Sequence, residues 1–300
     1  MKKVYYILLF ILFTTYNGFS QDLLPFDIKS KAYKELKLAL ENFNLWKYED
    51  AVVHFSKTPE MLQLFPYQKY KYAIALWQIK DTINARKVFY EAVKNGLFFI
   101  NEEYFNASPL IDKLSSTKEV FNQIKNTCYS DSTALFKDIQ NELKVLYQKD
   151  QQGRAPLDTT YRSMITTLDS LNRIDLQKII DKIGWPGFDE VGYSAAGTSF
   201  LIAQHSDQNI PFQKKCLELM KAEFYRGNIR VNSYAMIIDR YLVNTNQKQL
   251  FGSQVIEDEK TKKFKPRPCK YPDEIDFLRE LFDFYPLAEY LDFMNKRYIK

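Results

Sequence analysis

His205 is the only histidine in the second half of the chain, and it closes the apolar run from Phe200 to Ala203, with Gln204 before it and Asp207 two residues on. An imidazole works as a general base when it is neutral and held in one orientation, which calls for a carboxylate on one ring nitrogen. Asp207 and Asp239 are the carboxylates expected to do this, so His205, Asp207 and Asp239 form the candidate catalytic set. Asp150, Arg154, Gln204, Arg240 and Gln254 are the candidate substrate contacts. Guanidinium groups grip carboxylates or phosphates, and side-chain amides donate and accept at once. Such a set would carry out proton transfer in a hydrolase-like reaction.

Each group also has a plain structural role open to it. His205 could cap its own helix, where exposed carbonyls favour a protonated ring, and that works against a neutral base. Asp239-Arg240 is flanked by Ile237-Ile238 and Tyr241-Leu242. Charges beside a buried stripe need partners, and pairs of Asp150 with Arg240, or Asp239 with Arg154, would staple helices together. Gly184-Trp185-Pro186 reads as a helix stop, with glycine in a left-handed cap and proline barring continuation. Phe251-Gly252-Ser253-Gln254 reads as a turn. No G-x-S-x-G elbow surrounds Ser253 and no Walker loop occurs, so serine-hydrolase and nucleotide-hydrolase readings lack a motif. Cys128, Cys216 and Cys269 are isolated and His54 stands far from His205, so no ligand spacing is present and neither a metal nor a cofactor is expected.

The elements that must position these groups are helices. Ile139, Leu143 and Leu146 recur at helical spacing up to Asp150, and further helices are expected over 168–183, 191–205, 212–226, 233–243 and toward the C-terminus from 273. No segment alternates at period two for long, so the fold class is all-α, with at most a short β-hairpin within 249–269. Asp150-Gln151 with Arg154, Gly184-Trp185-Pro186, Gly192 with Ala195-Ala196, Gln204-His205 with Asp207, Phe212-Gln213, Asp239-Arg240 and Phe251-Gly252-Ser253-Gln254 occur in an order and spacing that resembles a bacterial domain family of unknown function. Phe251 and Ser253 stand where that pattern usually has tyrosine and threonine. The resemblance runs from Asp150 to Gln254, within a second domain expected over 128–300, and it implies no mechanism.

The first half carries an internal repeat. Ala39, Ala51 and Phe55 return as Ala73, Ala85 and Phe89, each 34 residues later. That period and the small-alanine, large-aromatic pattern resemble tetratricopeptide-type helical hairpins, although the usual glycine and the closing proline are missing. Residues 97–127 are expected to form a degenerate last unit, so that the array spans 31–127 and offers a groove to a polypeptide segment.

Lys2 and Lys3 precede an apolar run from Val4 to Phe13 and a small-residue site ending at Ser20. This is the layout of a cleaved secretory leader over 1–20, followed by a linker over 21–30 and an exported, periplasmic or secreted, protein with no later membrane span. The net charge of +5 includes the two leader lysines, so the remainder is near neutral and gives no whole-molecule argument for nucleic acid. The basic run between Lys260 and Lys270 follows Glu257-Asp258-Glu259 and reads as a solvated loop. Two function classes stand on these observations. The first is an adaptor whose repeats bind polypeptide, joined to a domain with a polar pocket. The second is an extracytoplasmic enzyme based on His205. Oligomeric state is not legible.

Overall fold

The computed structural model describes residues 23–94, 134–152, 154 and 159–298. The expected leader and the expected degenerate unit over 97–127 lie outside the described residues, as does Cys128.

Two helical hairpins occupy the stretch that carries the 34-residue recurrence. Helix α1 (Lys31–Asn44) begins where the Ser30 hydroxyl accepts from the Tyr33 amide at 3.1 Å. It buries Tyr33, Leu36, Ala39 and Leu40, the stripe that faces α2 (Tyr48–Phe55). A short helix α3 (Pro59–Leu64), not anticipated from periodicity, leads into α4 (Pro66–Gln78) and α5 (Thr82–Lys94). Ala39, Ala51, Phe55, Ala73, Ala85 and Phe89 are all buried, so the recurring small residues let each helix pair approach and the recurring rings fill the gap. The recurrence extends to the backbone. Trp46 and Lys80, themselves 34 apart, are both left-handed at the turn of their hairpin, with φ of 61° and 69°.

The second half is a helical layer around the expected stops. Helices α6 (Lys137–Gln152) and α7 (Thr159–Ile183) precede Gly184, whose φ of 79° and amide bond to the Ile180 carbonyl end α7 as the glycine-proline order predicts. Trp185 is buried in the core behind this cap. The helix expected over 191–205 is two pieces, α8 (Phe188–Val191) and α9 (Tyr193–His205), because Gly192 at φ 81° turns the chain between them. Helices α10 (Ile210–Arg226) and α11 (Val231–Asn244) follow, separated by the left-handed Gly227.

The one hairpin among the described residues is the expected one. Strands β1 (Val255–Glu257) and β2 (Phe264–Pro266) pair antiparallel, with Ile256 opposite Lys265, and an isolated bridge joins Gln249 to Cys269. A 3-10 turn (Pro272–Glu274) then leads into α12 (Ile275–Leu281) and α13 (Leu287–Tyr298). The fold is all-α with this one small sheet.

The loop from Leu250 to Gln254, between α11 and β1, is held from both sides. Asp239 accepts its amides from within α11, while Arg279 of α12 donates to the Phe251 carbonyl at 2.6 Å and to the Tyr285 carbonyl at 2.7 Å. Gly252 sits at φ 66°, and a Cβ there would lie 3.1 Å from methyl carbons of Ile275 and Leu287. Gly252→Ala is therefore expected to lower stability by about 1–2 kcal/mol through the left-handed backbone alone, with crowding added, read as a lower denaturation midpoint.

The hairpins and the second half share a core. Phe65 of the α3–α4 junction packs edge-on against Phe224 of α10 and Phe282 after α12, at centroid distances of 6.1 and 5.3 Å. Residues 23–30 take part: Leu23 and Leu24 are buried, and the Tyr234 hydroxyl donates to the Leu23 carbonyl at 3.2 Å. This stretch, expected as a linker, is packed because its leucines complete the apolar floor under α11. Helix α12 is the seam. Glu274 at its start receives the Tyr33 hydroxyl and Lys37, and Glu280 pairs with Lys71. Leu278, Leu281 and Phe282 are buried as expected, whereas Tyr285 is exposed.

Candidate functional site

Three helices and the turn after the first of them bring four ionisable side chains to one point. On α6 the buried stripe Ile139, Leu143, Leu146 continues at the next position to Asp150, so the carboxylate is carried to the inner face by helical phase. It is 1% exposed. On α7, Asp169 lies three residues before buried Asn172 and seven before buried Leu176, which turns it toward the same interior. His205 is the last residue of α9.

The His205 Nδ1 is 2.8 Å from Asp150 Oδ1. Arg154 spans the two acids, its guanidinium 3.2 Å from Asp150 Oδ1 and 2.8 Å from Asp169 Oδ1, with a further donation of 3.0 Å to the Asp150 carbonyl. Gln151 donates to Asp150 Oδ2 at 2.9 Å. Burial by itself pushes the Asp150 carboxyl up, but the hydrogen bond and charge of His205, with Arg154 behind them, bring it below its ordinary range. Asp150 is thus an anion held at Nδ1. That contact makes Nδ1 the donor, so Nε2 is the ring nitrogen not committed to the carboxylate. No described residue bonds Nε2, and it is not sealed from solvent. His205 does not cap its own helix; the Ser206 hydroxyl does so, donating to the Ile202 carbonyl at 2.7 Å.

The other expected residues fall into two separate networks. Asp207 does not reach the imidazole. Its carboxylate receives Asn244 at 2.8 Å and Gln213 at 3.2 Å, and Arg240 Nε lies 3.3 Å away, because Asp207 has passed the end of α9 and faces α10 and α11 instead. Arg240 also donates to the Gln204 carbonyl at 3.3 Å, so Gln204 and Arg240 tie helix ends together. The Gln204 Oε1 is buried with no partner among the described residues.

Asp239 is the clearest correction. It is fully buried, and its oxygens accept from the Leu250 amide at 2.7 Å, the Phe251 amide at 3.1 Å and the Ser253 amide at 2.9 Å. Burial raises this carboxyl, with those backbone donors opposing. It organises a turn and orients no histidine. Gln254 belongs to the same turn, its amide bonded to the Ser253 hydroxyl at 3.1 Å. The stapling pairs are likewise not Asp150 with Arg240 or Asp239 with Arg154; they are Arg154 with Asp169 and Asp207 with Arg240. Asp169 was missed by sequence reasoning. Its signal was the inward stripe it shares with Asn172 and Leu176.

Ligand atoms of Asp150, Asp169 and His205 all lie within 4.8 Å of one another, a donor set that divalent zinc or iron accepts. Arg154 already bridges the two carboxylates, however, so a cation would have to displace a guanidinium from both. With Arg154 bridging both carboxylates, the residues present fit an acid–base centre better than a metal centre. Of the cysteines, Cys216 and Cys269 are free thiols, and burial pushes both up, Cys269 to about 11, which makes each a poor nucleophile. No helix among the described residues is long and apolar enough to cross a membrane.

No match is found among curated proteins or among solved structures. The model of a family described as a family of unknown function (DUF6624) does match, over residues 137–300, which takes in α6 through α13 and every residue of the Asp150–His205 centre. That match covers more than half of the chain, and the chain belongs to this family.

Proposed function

We propose that the family domain is an acid–base catalyst of the hydrolase type, with His205 as the base and Asp150 as the residue that aims it. One observation carries the reading: a buried, ionised Asp150 lies 2.8 Å from Nδ1 while Nε2 remains unbonded among the described residues. This is the polarity that base catalysis needs, since Nε2 takes a proton from water and Asp150 stabilises the imidazolium until that proton passes to the leaving group. Arg154 holds Asp150 and Asp169 in place and keeps further N–H donors for a carbonyl or phosphoryl oxygen. Two polar atoms without a described partner stand beside these residues in their helices, Gln204 Oε1 next to His205 and Asn172 Nδ2 one turn from Asp169. Buried polar atoms left open in this way are suited to a substrate or a water. The leader expected over 1–20 would place this chemistry outside the cytoplasm.

The test is a screen of the chain without residues 1–20 against chromogenic carboxyl esters, phosphoesters, glycosides and peptide amides, run beside His205→Ala. The expected result is turnover of one class, lowered on the order of 10⁴-fold in the variant, with the variant still folded by circular dichroism. Turnover by His205→Ala at the parent rate, or no turnover of any class, would refuse the reading.

A further inference from the structure

A concavity of about 630 Å³ lies between the hairpins and α12, built from α1, α4, the start of α11 and residues 276–286. Its volume is that of a ligand pocket, roughly 300–1,000 Å³. None of the His205 network lines it.

The charges in it are unequal. Lys37 is clamped by both oxygens of Glu274 at 2.8–2.9 Å, and Lys71 is paired with Glu280, so both wall cations are neutralised. Glu41, Asp276 and Asp283 also line the cleft: Glu41 is exposed, Asp276 accepts the Leu287 amide at 2.7 Å through one oxygen, and desolvation pushes the Asp283 carboxyl up to about 7 with Lys71 opposing. Tyr67, Phe277, Phe284 and Tyr285 supply rings. The walls already hold ammonium groups over such rings, Lys71 at 5.0 Å from the Tyr67 centroid and Lys37 at 5.8 Å from that of Phe277. Carboxylates beside aromatic faces form a setting for organic cations.

Two further lining groups bear on what carries the cation. The side-chain amides of Asn44 and Asn232 make no hydrogen bond to any described residue. An amide offers a donor and an acceptor together, the complement of a peptide unit, whereas a polyamine has no carbonyl for the donor.

We propose that this cleft binds a basic, extended polypeptide segment, its lysine or arginine side chain among Glu41, Asp276 and Asp283 and its backbone on Asn44 and Asn232. The reading is independent of catalysis at His205. It is tested by calorimetric titration of the chain without residues 1–20 with the capped pentapeptide Ala-Lys-Phe-Lys-Ala, its glutamate counterpart Ala-Glu-Phe-Glu-Ala, and spermidine. The lysine peptide should bind, more weakly as salt is raised, and the glutamate peptide at least about tenfold less tightly, or about 1.4 kcal/mol. Glu41→Gln/Asp283→Asn should weaken the lysine peptide by about tenfold or more with the fold retained, since Glu41 is exposed and asparagine accepts the left-handed backbone at 283, where φ is 56°. His205→Ala should leave binding as it was, which separates this proposal from the enzyme reading. Equal affinity for the two peptides, full affinity in the double variant, or no heat with the lysine peptide would overturn it. Spermidine binding as tightly as the peptide would replace the polypeptide with a small polyamine.

Discussion

Asp239→Ala is expected to unfold the chain or to lower its melting temperature by more than any other single substitution in the second half. The carboxylate is the acceptor for three buried amides, those of Leu250, Phe251 and Ser253. A buried donor left without a partner costs about 1–3 kcal/mol, so three approach the whole stability of an ordinary domain, about 5–15 kcal/mol. Arg279 would remain on the Phe251 carbonyl, holding one side of a turn whose other side had lost its anchor. Asp239→Asn should be milder, because it keeps one acceptor oxygen, but its amide nitrogen must then face backbone N–H groups. Denaturant titration of the two variants checks the order: alanine worse than asparagine, both well below the parent. An alanine variant as stable as the parent would mean that the turn is held without the carboxylate.

Asp150→Asn should show the opposite division, with a large loss of rate and a modest loss of stability. An asparagine can present its N–H to Nδ1, which moves the ring proton to Nε2 and abolishes the base. Tautomer inversion of this kind costs on the order of 10⁴ in kcat. Arg154 keeps Asp169 as a partner, so no guanidinium is stranded. The pH dependence of stability supplies a readout independent of any substrate. Asp150 is below its ordinary range when folded, so its contribution is present above the unfolded carboxyl value, near pH 4, and is lost as pH falls through the lower folded value. The parent should therefore lose stability on acidification below about pH 4 more steeply than Asp150→Asn does. Parallel curves would show that the carboxylate gains nothing from His205 and Arg154.

Much of this centre was legible in the chain, though not its pairing. The phase of Ile139, Leu143 and Leu146 leads to Asp150, and the apolar run before His205 places the ring at a helix end. Which carboxylate meets the ring depends on how α6 and α9 cross, a contact between residues 55 apart that no local pattern encodes. Asp207 attracted attention through its nearness in sequence, yet two residues beyond a helix terminus the chain has already turned toward α10. Asp239 was recognisable as buried and in need of partners. Those partners are backbone amides of a turn, which every residue but proline possesses and which therefore leave no mark in the sequence. Gly192 was likewise visible only as a residue inside an apolar helical pattern. Its positive φ, which breaks the chain between α8 and α9, leaves no mark in helical periodicity.

The aromatic contacts of Phe65 with Phe224 and Phe282, together with Leu23 bonded to Tyr234, mean that the start of the family match at residue 137 is not a border of cohesion. Excising the family segment would open a greasy wound along α10 and α12. The hairpins thus cover apolar surface that the domain after them would otherwise expose to water.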